Sequence, residues 1–247
     1  MHNDYPKIRF ILSQTSHAGN IGATARAIKV MGFNELYVVN PKCDAFANQA
    51  YAMAANATDV WQKMQVVNSL DESLKNCHFV FGTSARKRSF QRSTMSEKEA
   101  AKLISSVQQH NIDSLFGNEQ SGLSNQELDR CQHQIVIPTN NYYSSLNLAQ
   151  AVQIICYELS VAINTTSLKL KKTKKNADLA TVNEVERLYL HLEDIIKQTG
   201  FYKEQHPKKM ATRLRQLLHR SHLDKHDVNL LRGIFNSIIY SLGFMQN

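Results

Sequence analysis

The chain is predicted to be an α/β protein: a mainly parallel sheet with helices on both faces, followed by a small group of three helices. Three observations predict this. Short apolar runs alternate with helical patterns through the first 163 residues, as they do in a sheet built from strand–helix crossovers. Five lysines between Lys169 and Lys175 then interrupt the pattern. Beyond them only helical periodicity remains.

The strand candidates are Ile8–Ser13, Glu35–Asn40, Gln65–Val67, Phe79–Thr83, Ser114–Phe116 and Gln134–Ile137. They are short, mostly apolar runs, as expected of strands covered on both faces. Helical patterns lie between them at Ile21–Met31, Ala45–Ala55, Ser96–Gln109 and Ser124–Cys131. The strongest is Asn147–Ile163, where Leu148, Val152, Ile155, Leu159 and Ile163 recur at helical spacing. The lysine run sits in residues 165–180, where like charges repel and favour a linker. It separates a domain of residues 1–164 from a helical one of residues 181–247. Thr181 with Glu184 makes a capping-box signal. It opens a helix with Val185, Leu188, Leu192, Ile195 and Ile196 on one face, ending at Gly200. A second helix is expected over Lys208–Arg220, with Met210, Leu214, Leu217 and Leu218 inward. A third spans Asp227–Leu242, with Leu231, Ile234, Phe235, Ile238 and Ile239 inward.

A hydrophobic content of 43% and a charged content of 20% are those of a soluble globular protein. No apolar run is long enough to span a membrane. Met1-His2-Asn3-Asp4-Tyr5-Pro6 lacks the basic-then-apolar pattern of a signal peptide, so a cytoplasmic protein is expected. Asn56-Ala57-Thr58 and Asn164-Thr165-Thr166 are then chance matches to glycosylation acceptors. Cys43, Cys77, Cys131 and Cys156 are scattered, with no C-x-x-C pair, which suits neither zinc nor a disulfide framework. Net charge is +8, but residues 1–163 carry only +1 of it and residues 164–247 carry +7. That asymmetry points the last third of the chain at a polyanion, either nucleic acid or an acidic membrane surface.

Three blocks place glycine and polar residues directly after predicted strands: Asn20-Ile21-Gly22 leading to Arg26, Phe116-Gly117-Asn118-Glu119-Gln120-Ser121-Gly122-Leu123, and Ser144-Ser145-Leu146-Asn147. Ligands of open α/β sheets sit where loops leave the carboxyl ends of strands, so the three blocks predict one shared pocket. The first is a turn into a helix whose N-terminus favours anions, with Arg26 placed to face the same group. It is not G-x-G-x-x-G, and it can equally be a turn in which Gly19 and Gly22 permit close packing. In the second block Leu123-Ser124 stands where a P-loop needs Lys-Ser/Thr, which disfavours a nucleotide triphosphatase. Glu119 follows a buried strand and needs partners, either backbone N–H groups that would hold the loop or an arginine. In the third, Ser145 or Asn147 can cap the following helix.

Taken together, Asn20-x-Gly22-x-x-x-Arg26, Phe116-Gly117-x-Glu119-x-x-Gly122-Leu123, and Ile137-Pro138 followed by Ser145-Leu146-Asn147-Leu148-Ala149 resemble the three motifs of the SPOUT methyltransferases. Within that superfamily the chain is similar to the bacterial tRNA (cytidine/uridine-2′-O-)-methyltransferases that act on nucleotide 32 of the anticodon loop. Thr15–Gly22, Gly82-Thr83-Ser84-Ala85-Arg86 and Tyr143–Ala149 carry this likeness. Past residue 180 it continues through Glu186-Arg187-Leu188-Tyr189, Thr199-Gly200-Phe201 and Asn229–Ile234. Asn118 departs from it, because close relatives often carry arginine there.

The resemblance implies S-adenosyl-L-methionine as methyl donor, a trefoil knot closing the first domain, and a homodimer with composite sites. It implies cofactor contacts from Gly82, Thr83, Ser84, Gly117, Gly122, Ile137, Ser144, Ser145 and Leu146. Arg26 is the family's activating residue, with Asn20, Glu119, Ser145 and Asn147 around it. An ordinary arginine stays protonated at neutral pH. Arg26 is therefore expected to position a phosphate and to stabilise developing alkoxide charge.

The partner expected is tRNA, with no DNA, membrane or metal. Lys203, Lys208, Lys209, Arg213, Arg215 and Arg220 gather around the second C-terminal helix and suit phosphate contacts. His206, His219 and His222 nearby read as surface groups rather than metal ligands. Three other readings stand beside this one: a related 2′-O-methyltransferase acting on ribosomal RNA or the tRNA D-loop, an inactive RNA-binding protein of the same fold, and a nicotinamide-dependent oxidoreductase. The last lacks G-x-G-x-x-G.

Overall fold

The computed structural model describes residues 7–85, 94–140, 142–167, 178–199 and 207–245. It divides into two compact units, Met1–Lys174 and Lys175–Asn247. The lysine run 169–175, Gly200, Lys203 and His206 lie outside the described residues, as do the side chains of Lys208 and Lys209.

Among the described residues the first unit holds a seven-stranded sheet. Its strands are β1 (Ile8–Ser13), β2 (Glu35–Val39), β3 (Gln65–Val67), β4 (Phe79–Thr83), β5 (Thr94–Ser96), β6 (Ile112–Phe116) and β7 (His133–Val136). They lie in the order β3-β2-β1-β6-β4-β7-β5, and every neighbouring pair is parallel. All five residues of β6 are buried, Asp113 and Ser114 among them, so both of its faces are covered.

The helices are α1 (Ala18–Val30), α2 (Asn48–Ala54), α3 (Thr58–Lys63), α4 (Leu70–Ser73), α5 (Glu97–Ser106), α6 (Asn125–Leu128) and α7 (Leu148–Ser167). Each expected strand and helix is found within a few residues of its expected bounds. The edge strand β5 and the short helices α3 and α4 were not expected: Thr94-Met95-Ser96 has a single apolar residue, and helices of six and four residues are too short to show a period. None of the described helices is long and apolar enough to cross a membrane.

Two close fits shape this unit. A Cβ on Gly22 would stand 1.9 Å from the Ala50 carbonyl oxygen, so α2 can cross α1 only over a glycine. Arg9 and Asp113 are cross-strand partners on β1 and β6. The guanidinium meets the carboxylate through two bonds, Nε to Oδ1 at 2.6 Å and the terminal nitrogen to Oδ2 at 2.7 Å. Asp113 is fully buried, and this fork is what makes a charge there tolerable.

The second unit contains α8 (Val182–Gln198), α9 (Pro207–Arg220) and α10 (Lys225–Met245). The expected capping box opens α8: Thr181 Oγ1 accepts from the Glu184 amide at 3.3 Å, and Glu184 Oε2 accepts from the Thr181 amide at 2.7 Å. Asp224 and Asp227 cap α10 in the same reciprocal way. The core gathers Val185, Leu188, Tyr189, Ile195, Leu218, Val228 and Phe235.

The inward faces expected for α9 and α10 were too wide. Met210 and Leu217 on α9, and Ile234 and Ile238 on α10, are exposed. A three-helix unit has too little interior to cover a full apolar stripe on every helix. His219 was expected at the surface but is buried, with Nε2 3.1 Å from Glu186 Oε2. Arg215 also turns inward: it pairs with Glu186 at 2.9 Å and lies over the Tyr189 ring at 4.5 Å. Arg213 and Arg220 remain exposed.

Candidate active site

Because every strand is parallel, the loops after β1, β2, β4, β6 and β7 leave the sheet at one edge. The cavity at that edge has a volume of about 200 Å³. Thr83, Ser84 and Ala85 form one wall, the segment from Phe116 to Gly122 the floor, and Ile137 with Thr139 the back. Ser144, Ser145, Leu146 and the start of α7 close it. The second and third sequence blocks therefore meet on its wall, with Gly117, Gly122, Ile137, Ser144, Ser145 and Leu146 placed as expected, whereas no residue of the first block lines it, contrary to the expectation of one pocket shared by all three. A second, more open space of about 690 Å³ adjoins it and shares Ala85, Ile137, Thr139 and Ser144.

Glycine makes the floor possible. A Cβ on Gly117 would lie 2.2 Å from the Gly122 and Leu123 backbone, so the loop folds back on itself only there. Gly122 has φ of +67°, a conformation that disfavours any other residue. Gly82 has a different task from the one the family motif implies. It is not on the cavity wall; a Cβ there would stand 2.7 Å from Cys131 Sγ and 3.1 Å from Leu123. Its bareness lets the chain leading into and out of α6 pack onto β4.

Glu119 is fixed by donors from the β1–α1 segment. Oε2 accepts from the Ser16 amide at 2.9 Å and from the Ser16 hydroxyl at 2.8 Å, while Oε1 accepts from Asn20 Nδ2 at 2.8 Å. The backbone-anchoring alternative is thus the one realised. Partial burial works against ionisation of this carboxyl, but the Asn20 and Ser16 bonds outweigh it and hold it below the usual glutamate range. Asn20 Oδ1 in turn accepts from Asn147 Nδ2 at 3.0 Å. Asn147, rather than Ser145, caps α7, its Oδ1 accepting from the Ala149 amide at 2.9 Å.

Two further ties join the same segments. Asn118 Nδ2 donates to the Gln14 carbonyl at 2.7 Å, and Asn118 Oδ1 accepts from the Gln120 amide at 2.9 Å. Ser13 donates to Glu127, which also closes the capping box of α6. Sequence reasoning left these out, although the Ser124-x-x-Glu127 spacing was a readable signal. Asn118 thus acts by hydrogen bonding, tying the loop to the end of β1.

Arg26 stands apart from this network. The helix begins at Ala18, earlier than expected, which sets Arg26 eight residues past its start. At 1.5 Å per residue that is about 12 Å along the axis, too far for it to share an anion with the helix N-terminus. It is exposed and forms no hydrogen bond or ion pair among the described residues. The same residues contain no group of three or more His, Cys, Asp or Glu able to hold a metal.

The cavity suits S-adenosylmethionine. Backbone and hydroxyl groups of Thr83, Ser84 and the Gly117–Gly122 loop offer polar partners, and Ile137 and Leu146 offer apolar cover for a base.

Comparison with known proteins agrees with this geometry. Residues 7–157 match the SpoU rRNA methylase family, and residues 183–244 match the C-terminal domain of the tRNA methyltransferase TrmJ. A tRNA (cytidine/uridine-2′-O-)-methyltransferase TrmJ of Sodalis glossinidius is 41% identical over 241 residues, covering 96% of this chain and 92% of the relative. The crystal structure of TrmJ from Z. mobilis ZM4 superposes with a TM-score of 0.80 at 29% identity, covering 93% and 98% of the two chains. The fold alone is shared, at 20% identity and a TM-score of 0.55, with the AdoMet complex of the SpoU methyltransferase AviRb from Streptomyces viridochromogenes, over 66% of this chain and 63% of that one. The chain belongs to the SpoU methylase family, and it joins a methyltransferase domain of that family to a C-terminal domain of the TrmJ type.

Proposed function

We propose that this methyltransferase moves a methyl group from S-adenosylmethionine to the ribose 2′-hydroxyl of cytidine or uridine 32 in the tRNA anticodon loop, and that it does so as a cytoplasmic homodimer. The observation that carries this reading is the hydrogen-bonded line Ser16–Glu119–Asn20–Asn147 alongside the cavity. It holds three loops in one arrangement, as alignment of a donor with an acceptor requires. The relatives named for tRNA cytidine/uridine 2′-O-methylation support the substrate class.

The donor, when bound, supplies a methyl group made electrophilic by its sulfonium. Everything else falls to the protein. Thr83, Ser84 and the Gly117–Gly122 loop bind the nucleoside, with Ile137 and Leu146 against the base. Glu119 keeps Asn20 oriented, and Asn20, Ser145 and Asn147 hold the acceptor ribose. Arg26 remains a cation and cannot take the hydroxyl proton, which passes to solvent water as the new O–CH3 bond replaces the S–CH3 bond. Arg26 positions the RNA phosphate and stabilises negative charge growing on the 2′-oxygen.

The dimer reading rests on α1 and α7. Val30 on α1 and Tyr157 and Val161 on α7 are exposed apolar side chains on two helices that pack together. Arg26 lies one helical turn before Val30 and so borders this face, where a composite site would use it. The same reading places the trefoil knot at the end of residues 1–164, a linker at 165–180, and tRNA binding in residues 181–247 through the exposed Arg213 and Arg220.

The test is to incubate the protein with bulk tRNA and methyl-labelled S-adenosylmethionine and then map the ribose methyl group. Label at nucleotide 32 is expected. Label at another tRNA nucleotide or in ribosomal RNA would select the related enzyme with another target. No label on any RNA would select an inactive RNA-binding protein.

A further inference from the structure

An aromatic cluster outside the cavity is held rigidly at the same edge of the sheet. Phe46, on the loop after β2, is 51% exposed, and Tyr51, on α2, is 54% exposed. Each meets the buried Trp61 ring edge-on, with ring centroids 5.7 Å apart in both pairs. Trp61 is itself pinned, its Nε1 donating to the Ala45 carbonyl at 3.0 Å. The Phe46 amide donates to Asp44 Oδ1 at 2.9 Å, which fixes the loop. Two large rings are therefore held in place by a third while half of their surface faces water.

Their position relative to the site follows from topology. The strand order β2-β1-β6-β4 sets three features in sequence along one edge: the aromatic pair after β2, the Asn20 segment after β1, and the cofactor loops after β6 and β4. From β2 to β6 is two strand spacings, about 10 Å. Direct contacts bind the first two features together. The Lys42 amide donates to the Thr15 carbonyl at 2.8 Å, and the Gln49 side chain lies 3.3 Å from where a Cβ on Gly19 would be. Lys42 is exposed beside this edge, whereas Lys29, further along α1, is taken up by Asp59 at 2.6 Å.

We propose that Phe46 and Tyr51 form a stacking platform for unpaired nucleobases of the substrate RNA, next to the nucleotide whose ribose is methylated. This rests on reading the chain as an RNA methyltransferase. Sequence-specific RNA recognition targets single-stranded loops whose bases stack on aromatic rings. A phenylalanine and a tyrosine each about half exposed, with the exposed Lys42 on the same loop, match that partner. A second copy of the chain is better served by the Val30, Tyr157 and Val161 face.

The test uses an anticodon-arm hairpin RNA with 2-aminopurine in its loop, whose fluorescence falls when the base stacks. Wild type and the aromatic-preserving pair Phe46→Tyr/Tyr51→Phe should quench it. Phe46→Ala/Tyr51→Ala should not, and should bind the hairpin at least about fivefold more weakly. Its S-adenosylmethionine affinity and elution volume should not change. Should the alanine pair fail to fold, Phe46→Leu and Tyr51→Leu keep the volume without the ring and should lose the quench. Equal quenching by wild type and the alanine or leucine variants, or none by wild type, overturns the proposal. A changed elution volume with unchanged RNA affinity would also overturn it, making the patch an interface between copies. Quenching by a wild type that methylates no tRNA would leave the platform standing and remove the functional reading instead.

Discussion

Asn20 donates its amide hydrogen to Glu119 Oε1 at 2.8 Å, and that bond leaves the Asn20 carbonyl to accept from Asn147 at 3.0 Å. The line has one polarity throughout. Asn147 Oδ1 is turned to the α7 amides, so its nitrogen must donate to Asn20, whose nitrogen must donate to a carboxylate. Glu119→Gln breaks that polarity, because one end of the new amide is a donor facing a donor. Turnover should fall at least about tenfold, and stability by about 1–3 kcal/mol, the cost of leaving a half-buried group unpaired. Steady-state kinetics and urea unfolding measure the two.

The same bonds set a pH dependence. Glu119 titrates below its ordinary range in the folded chain, so its contribution is full above the unfolded pKa of about 4.3 and is lost as pH falls through the lower folded value. Wild-type stability from this group should be flat between about pH 7 and pH 5. Asn20→Asp places a second carboxylate against Glu119. That variant should be destabilised at pH 7 and recover part of the loss by about pH 5, as the pair takes up a shared proton. Urea midpoints at the two pH values decide it.

Three glycines should respond differently to alanine. At Gly22 and Gly117 the new methyl would meet backbone at 1.9 Å and 2.2 Å, which no rotamer relieves. Each should cost about 3 kcal/mol or more, through forced backbone shifts. At Gly122 nothing lies within 4 Å of the new methyl, and only the left-handed backbone resists. About 1–2 kcal/mol is expected there. Thermal unfolding of the three variants gives the ranking.

Arg213 and Arg215 differ by two positions and should differ in kind. Arg213 and Arg220 are exposed, so replacing either with alanine should leave stability alone and reduce the salt slope of tRNA binding by about one. Arg215 is paired with Glu186 over the Tyr189 ring. Arg215→Ala should instead destabilise the C-terminal unit by about 1–3 kcal/mol. Filter binding across a salt series, with unfolding curves, separates the two effects.

The strands were legible as short, mostly apolar runs, as Phe79–Phe81 of β4 shows, and the α8 start was legible because Thr181 and Glu184 carry their chemistry locally. The meeting of the three loops was legible too, since parallel strands send all such loops to one edge. What stayed hidden depends on contacts distant in sequence. Gly82 could not be read as a packing glycine without Cys131 and Leu123 across from it. Arg215 and His219 could not be read as interior without Glu186 on the neighbouring helix. The exposed Leu217 and Ile234 show that helical spacing marks a stripe but not how much of it the partner helices cover.

Arg26 offers the most direct measurement of the central claim, that the cavity binds the donor while a separate, exposed arginine serves the acceptor. Calorimetric titration with S-adenosylmethionine and methyl transfer to tRNA would be run side by side on wild type and Arg26→Ala. The donor's Kd should stay within about twofold, because Arg26 is not on the cavity wall. Turnover should fall by about a hundredfold or more, the scale of losing one preorganised charge-stabilising group. Unchanged turnover, or a Kd that weakens as much as turnover falls, would contradict the account.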